Sequence, residues 1–230
     1  LASLGTSPAR GGGKGARMTS QGQDKPVSAI EIALFSAPAA PLLALTLPTV
    51  IFLPPYFVTH LGLSGAAVAA IFFGARLFDI VLDPLLGTLQ DRTQTRWGRR
   101  RIWLALACAP LMALIWLVFI HLGPGSSEWA AAGAVMAMYF AFGFMMVAHL
   151  GWAGEIIPTY HGRTHVLGAV QVTSLLGEVA LLVLAAYVVQ VLQRTDADAV
   201  KMMGWTLIIM LPVTVAMAVF GARERKLPPQ

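Results

Sequence analysis

Charge is what this chain has least of. Asp, Glu, Lys and Arg make up 12% of its 230 residues, about half the share usual in soluble domains. No folding of such a sequence gives it a solvated surface on every side. Cysteine is almost absent too. The single Cys108 sits in an apolar run, which excludes a disulfide framework and reads as a small buried hydrophobe. The five histidines show no metal-ligand spacing, and neither a nucleophile–base pairing nor a phosphate-cradling loop occurs. The sequence therefore argues against an enzyme and implies no cofactor.

Apolar residues are abundant, at 57% of the chain. They fall in six runs, at about 30–57, 66–90, 102–122, 129–151, 166–192 and 202–221. Each is long enough to cross a hydrocarbon core of ~30 Å at ~1.5 Å per residue. The expected fold is an all-α membrane protein with six transmembrane helices and the lipid bilayer as its partner. Turn or charge signals separate the runs: "THLGLSG" (59–65), "DRTQTRWGRRR" (91–101), "HLGPGSSE" (121–128), "GEIIPTYHGRTH" (154–165) and "QRTDADAVK" (193–201). Residues 1–29 read as a disordered tail, 30–222 as the bundle and 223–230 as a polar linker. The Gly-rich residues 1–17, ahead of Met18, read as translated upstream sequence or as part of that tail. The first apolar run is too long for a signal peptide, and no small-residue cleavage site follows it.

Six spans put both ends on one side. The two tails and the second and fourth loops hold thirteen Lys and Arg, and the opposite loops hold only Arg194 and Lys201. Excess positive charge marks the cytoplasmic face, so both termini are expected in the cytoplasm and the protein in the plasma (inner) membrane. A pI near 9.8 thus reports topology, not a nucleic-acid partner. The first span carries Pro38, Pro41, Pro48, Pro54 and Pro55. Breaks of this kind survive in lipid only where neighbours or a cavity satisfy the freed carbonyls, so this span reads as a broken helix lining a path or as a kinked packing helix.

The second span spends charges inside its apolar run. At 100° per residue, Arg76, Asp79, Asp83 and Gly87 share one face. A charge at mid-bilayer costs about 2.5–3.5 kcal/mol even on insertion scales, so this stripe is expected to face protein, water or an ion. Arg76 offsets one carboxylate, being three residues from Asp79. The other needs a bound cation or a proton. Na⁺ suits oxygen ligands and H⁺ suits close carboxylates, and the pattern leaves both open. The alternative is a buried ion-pair network that only orients helices. In the loop beyond, Asp91 with Arg92, Arg96, Arg99, Arg100 and Arg101 reads as a cytoplasmic gate, or as a topology anchor on lipid headgroups.

The pattern R-x-x-D-x-x-x-D-P-x-x-G-x-x-x-D-R-T-x-x-R-W-G-R, from Arg76 to Arg99, resembles the signature of the glycoside–pentoside–hexuronide cation symporters of the major facilitator superfamily. "GLS" (62–64) agrees with it. The fourth loop, "AHLGWAGEIIPTYHGRT" (148–164), keeps Glu155, Tyr160, Arg163 and Thr164 of the corresponding family stretch. The resemblance implies the amino-terminal half of a twelve-helix fold, with a carboxyl-terminal six-helix half missing beyond residue 230. It implies a cation site at Asp79 and Asp83 with Arg76 as counter-charge. It also implies a gate comprising Gly87, Asp91, Arg92, Arg96, Gly98 and Arg99. The acids that hold sugar hydroxyls in melibiose permease-like members fall at Leu43 and Met146 here, and a fifth-helix arginine falls at Val170 or Gln171. The substrate side therefore departs from the pattern.

His149, Trp152, Glu155 and Glu178 remain as candidate substrate or cavity residues. Their rival readings are a satisfied inter-helix bond for Glu178, an unremarkable lone polar residue near an interface for His149, and interfacial anchoring for Trp152 alongside Trp116, Trp129 and Trp205. The expected function is secondary active symport of a sugar, glycoside or other small organic solute with Na⁺ or H⁺, by alternating access. The alternatives are a non-transporting structural or receptor-like bundle and a transporter of lipid-like solutes.

Overall fold

The computed structural model describes residues 28–93, 100–156 and 160–222. Among them every regular element is helical. The first span, Ala29–Thr59, is assembled from α1 (Ala29–Ser36), α2 (Ala39–Ala44), a π-helical stretch Pro48–Phe52, and α3 (Leu53–Thr59). The second is α4 (Gly65–Arg92). The third joins α5 (Arg101–Trp116) to a π-helical end, Leu117–His121. Spans four to six lie in α6 (Glu128–Ile156), α7 (Tyr160–Gln190) and α8 (Asp196–Gly221). All six spans are long and apolar enough to cross a membrane, as the hydropathy pattern predicts.

One boundary differs materially. The polar stretch 193–201 is expected as a loop, yet α8 begins at Asp196. The Thr195 hydroxyl accepts the Asp198 N–H, and the Asp198 carboxylate accepts the Thr195 N–H, both at 3.2 Å. This reciprocal cap satisfies two of the four orphan donors of a helix start, so charges that look like loop are the first turn of a helix. Ser28 and Glu31 start α1 in the same way, and Ser64 caps α4.

The prolines break the first span where the sequence places them. α1 ends before Pro38, and the π-helical stretch begins at Pro48. Around this broken rod, α6 is the central post against which α4 and α5 pack, while α2 lies along α7 and α5 along α8. Small residues allow close approach, as they do between membrane helices generally. A Cβ on Gly177 of α7 would stand 2.5 Å from the Ala40 carbonyl oxygen of α2. The core is filled by fully buried Phe35, Phe57, Phe119, Met138, Met145 and Trp152.

Burial is uneven. In the most apolar stretch of each span, 44% of residues are buried for the first, fourth and sixth spans, but only 22% for α4 and 28% for α7. Phe73, Ile80 and Val81 of α4, and Leu176, Val179 and Val183 of α7, remain exposed. These two helices are the least covered of the six spans, although α8 also leaves Ile209, Val213 and Phe220 exposed.

Candidate functional site

Helix α4 delivers Arg76, Asp79 and Asp83 near its middle on one stripe, and the packing of α4 on α6 decides what they meet. Asp79 is buried at 8% exposure. Asp83, one turn on, is exposed and has no protein partner among the described residues. The two acids converge on Gly143 of α6. A Cβ built there would lie 3.2 Å from Asp83 Oδ1 and 3.5 Å from Asp79 Oδ1. A methyl at 143 would be in ordinary contact with the Asp79 carboxylate and tight only on Asp83, so glycine there gives Asp83 its room beside α6. Arg76 Nη1 stands 3.5 Å from Asp79 Oδ2, and the arginine side chain is 68% exposed. This contact is the one ion pair of Arg76 among the described residues, and it leaves most of the guanidinium fork uncommitted there.

Beside this triad lies a cavity of about 230 Å³ between the first span, α4 and α6. Arg76 is the charged group in its wall. Thr46, Thr49 and Tyr139 add hydroxyls, and the rest is apolar, including Val50 and Phe142. The Thr49 hydroxyl donates to the Leu45 carbonyl at 2.7 Å, which leaves its oxygen free to accept. Among the described residues no group of three or more His, Cys, Asp or Glu gathers to hold a metal. The Asp79–Asp83 pair offers carboxylate oxygens only, a donor set for Na⁺ or H⁺ and unlike the nitrogen and sulfur sites of transition metals.

The residues expected to contact solute separate. His149 is buried and lies away from the cavity wall. Its Nε2 is 3.0 Å from the Phe35 carbonyl oxygen, and its ring stacks on the Phe35 ring at a centroid separation of 4.8 Å. A carbonyl only accepts, so Nε2 carries the hydrogen. Phe35 sits at the α1–α2 break, and the imidazole thus serves a carbonyl beside that interruption. Trp152 is fully buried with its edge on Phe35, so in this conformation it is neither an interfacial anchor nor a platform for a sugar ring. Glu178 is half-buried in α7, next to the Gly177–Ala40 contact, outside the cavity wall and without a partner among the described residues. Glu155 belongs to α6, with its side chain outside the described residues.

At the basic end of the bundle, Asp91 pairs with Arg100. Arg100 also donates to Gln90 Oε1 at 3.3 Å, and Gln90 Nε2 donates to the Phe144 carbonyl at 2.8 Å. Arg100 is buried and crosses α6 at Gly151, where a Cβ would stand 2.5 Å from its guanidinium. The pair thus ties the end of α4 to the start of α5 across α6. Arg92 is exposed at the end of α4, and Gly87 lies against Val147. Arg96, Gly98 and Arg99 fall outside the described residues.

Sequence reasoning finds Arg76, Asp79, Asp83 and Asp91. It does not single out Gly143, Tyr139 and Thr46 around the carboxylates, nor Gln90, Arg100 and Gly151 as a unit. Thr46 and Thr49, one turn apart in a proline-rich apolar span, were the available signal for the cavity wall.

Comparison with known proteins gives the family of the chain. The model of the family described as MFS/sugar transport protein matches residues 34–229. An uncharacterized symporter of Synechocystis sp. is 26% identical over 131 residues, covering 53% of this chain and 24% of that protein. The glucuronide carrier protein homolog of Escherichia coli is 32% identical over 92 residues, 40% of this chain and 19% of that protein. A putative glycoside/cation symporter of E. coli is 41% identical over 69 residues, 30% and 15% of the respective chains. The matched stretches thus span at most about a quarter of the length of these relatives. Six membrane helices and no described strand fit half of a major facilitator fold. The chain belongs to the MFS/sugar transport family, within the glycoside–pentoside–hexuronide cation symporters, a group of transporters and not of enzymes.

Proposed function

We propose that this chain forms the amino-terminal half of a cation-coupled secondary symporter. A cation, Na⁺ or H⁺, binds at Asp79 and Asp83, and a small organic solute of the sugar or glycoside type binds in the adjoining cavity. The convergence of both carboxylates on Gly143, beside a cavity with Arg76 in its wall, carries this reading. Acids at mid-span are expensive, and here one of the two has no fixed partner among the described residues. A mobile positive species supplies the compensation. Names such as glycoside/cation symporter among the relatives support the same coupling.

Alternating access follows by rocking of two six-helix halves about a midplane site. The uncovered faces of α4 and α7 are where a second half would pack. The Asp91–Arg100–Gln90 contact serves as a latch that closes and opens the cytoplasmic end. The Lys and Arg asymmetry supports placing both ends of this segment in the cytoplasm, with the protein in the plasma membrane. Coupling requires that cation and solute favour the same conformation, and the effect is reciprocal.

The test is solute uptake into vesicles carrying the full-length polypeptide, under imposed Na⁺ or H⁺ gradients. The gradient that drives uptake identifies the ion. Asp79→Asn and Asp83→Asn should each abolish gradient-driven uptake at unchanged membrane abundance. Misfolding of both variants, or uptake indifferent to either gradient, would favour a non-transporting bundle whose acids only orient helices.

A further inference from the structure

Glu178 is the acid at mid-span that the site above leaves unused. It lies near the middle of the fifth span, Gly162–Gln190, half-buried and without a partner among the described residues. A carboxylate at that depth is costly unless a positive or hydrogen-bonding group meets it. The described part of this half supplies no cation there. Arg76 is paired with Asp79, and Arg100 with Asp91. Arg163 and Arg194 lie at opposite ends of α7, each roughly 20 Å from Glu178 along the axis at ~1.5 Å per residue. Arg92 and Arg101 stand at helix ends, and Lys201 in the second turn of α8.

The packing of α7 fixes the side on which this carboxylate sits. Gly177 faces Ala40 of the first span. At 100° per residue, Ala180 lies to one side of Gly177, in the wall of a small cavity shared with Thr206, Leu207 and Met210 of α8. Glu178 lies to the other side, on the flank turned away from α8. Gln171, two turns earlier on the same flank, is exposed. Beyond that flank come the exposed apolar Leu176, Val179 and Val183. Hydrocarbon satisfies neither a carboxylate nor a carboxamide, so a flank carrying both is built to meet protein.

We propose that Glu178 is completed by an arginine or lysine from a membrane span of the missing second half, and that this ion pair joins α7 to that half. The inference rests on the reading of this chain as one half of a twelve-helix symporter. The length of the relatives leaves chain for such a half, since the matched stretches span at most about a quarter of it. The apolar residues beside Glu178 keep the contact dry, which strengthens an opposite-charge pair and penalises a lone charge. Glu178 is thus a liability in an isolated half and a registration point in the whole molecule, because only one docking of the halves brings a cation to it. The Asp91–Arg100 contact, by contrast, is internal to this half.

The experiment begins with the rest of the polypeptide. The inference expects at least one Lys or Arg inside an apolar run beyond residue 230, and a second half without one overturns it. In the full-length protein, on a Cys108→Ala background, Glu178→Cys is combined in turn with cysteine at each such position. Oxidative cross-linking in membranes is then read on a gel after cleavage of a protease site placed between the halves. One combination should hold the halves in a single band; if none does, the inference falls. Gradient-driven uptake in liposomes gives the second readout. Glu178→Lys faces its partner with a like charge and should lower uptake at least about tenfold, and reversing the partner to Glu in the same protein should restore most of it. Tolerance of Glu178→Lys alone, or failure of every reversal to rescue it, overturns the inference. Should Glu178→Lys fail to reach the membrane, the cross-link still decides. Gradient-driven uptake by the native protein with Glu178 unpaired would defeat this inference and leave the symport reading standing. A cross-linked pair in a protein indifferent to either gradient would defeat the symport reading and leave the pair.

Discussion

Replacing His149 by Leu tests how the broken first span is held. In the native chain the imidazole donates to the Phe35 carbonyl at 3.0 Å and stacks on the Phe35 ring. Leucine keeps the bulk and the apolar character but removes the donor. An inter-helix hydrogen bond in a membrane is worth about 0.6 kcal/mol on average and up to about 1.7. A buried acceptor left unsatisfied costs about 1–3 kcal/mol, and a ring pair adds about 0.5–1.5 kcal/mol beyond area. The carbonyl lies beside a helix break, where local backbone donors are scarce, so the upper part of these ranges applies. We expect a loss of about 2 kcal/mol for His149→Leu, and a fall of about 2–4 °C in the unfolding midpoint of a chain about twice this length by the usual size scaling. His149→Gln retains a donor and should recover part of that loss. The assay is thermal unfolding of the purified full-length protein in detergent. A His149→Leu midpoint equal to the native one, or a Gln variant no better than Leu, would refute the claim that this bond holds α6 to the first span.

Three other outcomes follow from close approaches. Gly151→Ala places a methyl in the seat of the Arg100 guanidinium; uptake should fall, and a double-mutant cycle with Arg100→Ala should show coupling of about 0.5–3 kcal/mol in stability. At Gly143, a valine side chain would crowd both carboxylates, so Gly143→Val should abolish cation-dependent solute binding, read by equilibrium dialysis, while Gly143→Ala weakens it only partly. Gly177→Leu would drive α7 away from the Ala40 backbone, with a destabilisation of 1–3 kcal/mol or more typical of overpacking; a stability equal to native in the same unfolding assay would contradict the packing described.

The parts legible in the sequence are those set by local chemistry or by the solvent. Span number and approximate length follow from hydrophobic run length, because a bilayer imposes its thickness on every helix. The stripe of Arg76, Asp79 and Asp83 was visible because charge in an apolar run is costly wherever it falls. The start of α8 differs from the sequence expectation because Asp196 and Asp198 look like loop charges until Thr195 is seen as the cap. The Gly143 focus, the Arg100 seat at Gly151 and the His149–Phe35 bond depend on which turn of one helix faces which turn of another. His149 and Phe35 are 114 positions apart, and no local pattern encodes that register. Trp152 illustrates the same limit: near a span end in sequence, it looks interfacial, yet packing against α1 seals it completely.

The piecewise construction of the first span has a mechanical consequence. Its interruptions, near Pro38 and at Pro48–Phe52, bracket Thr46, while Thr49 and Val50 lie on the second of them. Bending concentrates at such points, where the regular hydrogen-bond ladder is already broken. The short middle cylinder is thus jointed at both ends, and any bending of the first span at those joints would move one side of the cavity, against the close α2–α7 contact at Gly177. Of the other walls, α4 carries Pro84 directly after Asp83, whereas α6 has no proline, so α6 is the wall of the cavity that lacks a joint of this kind.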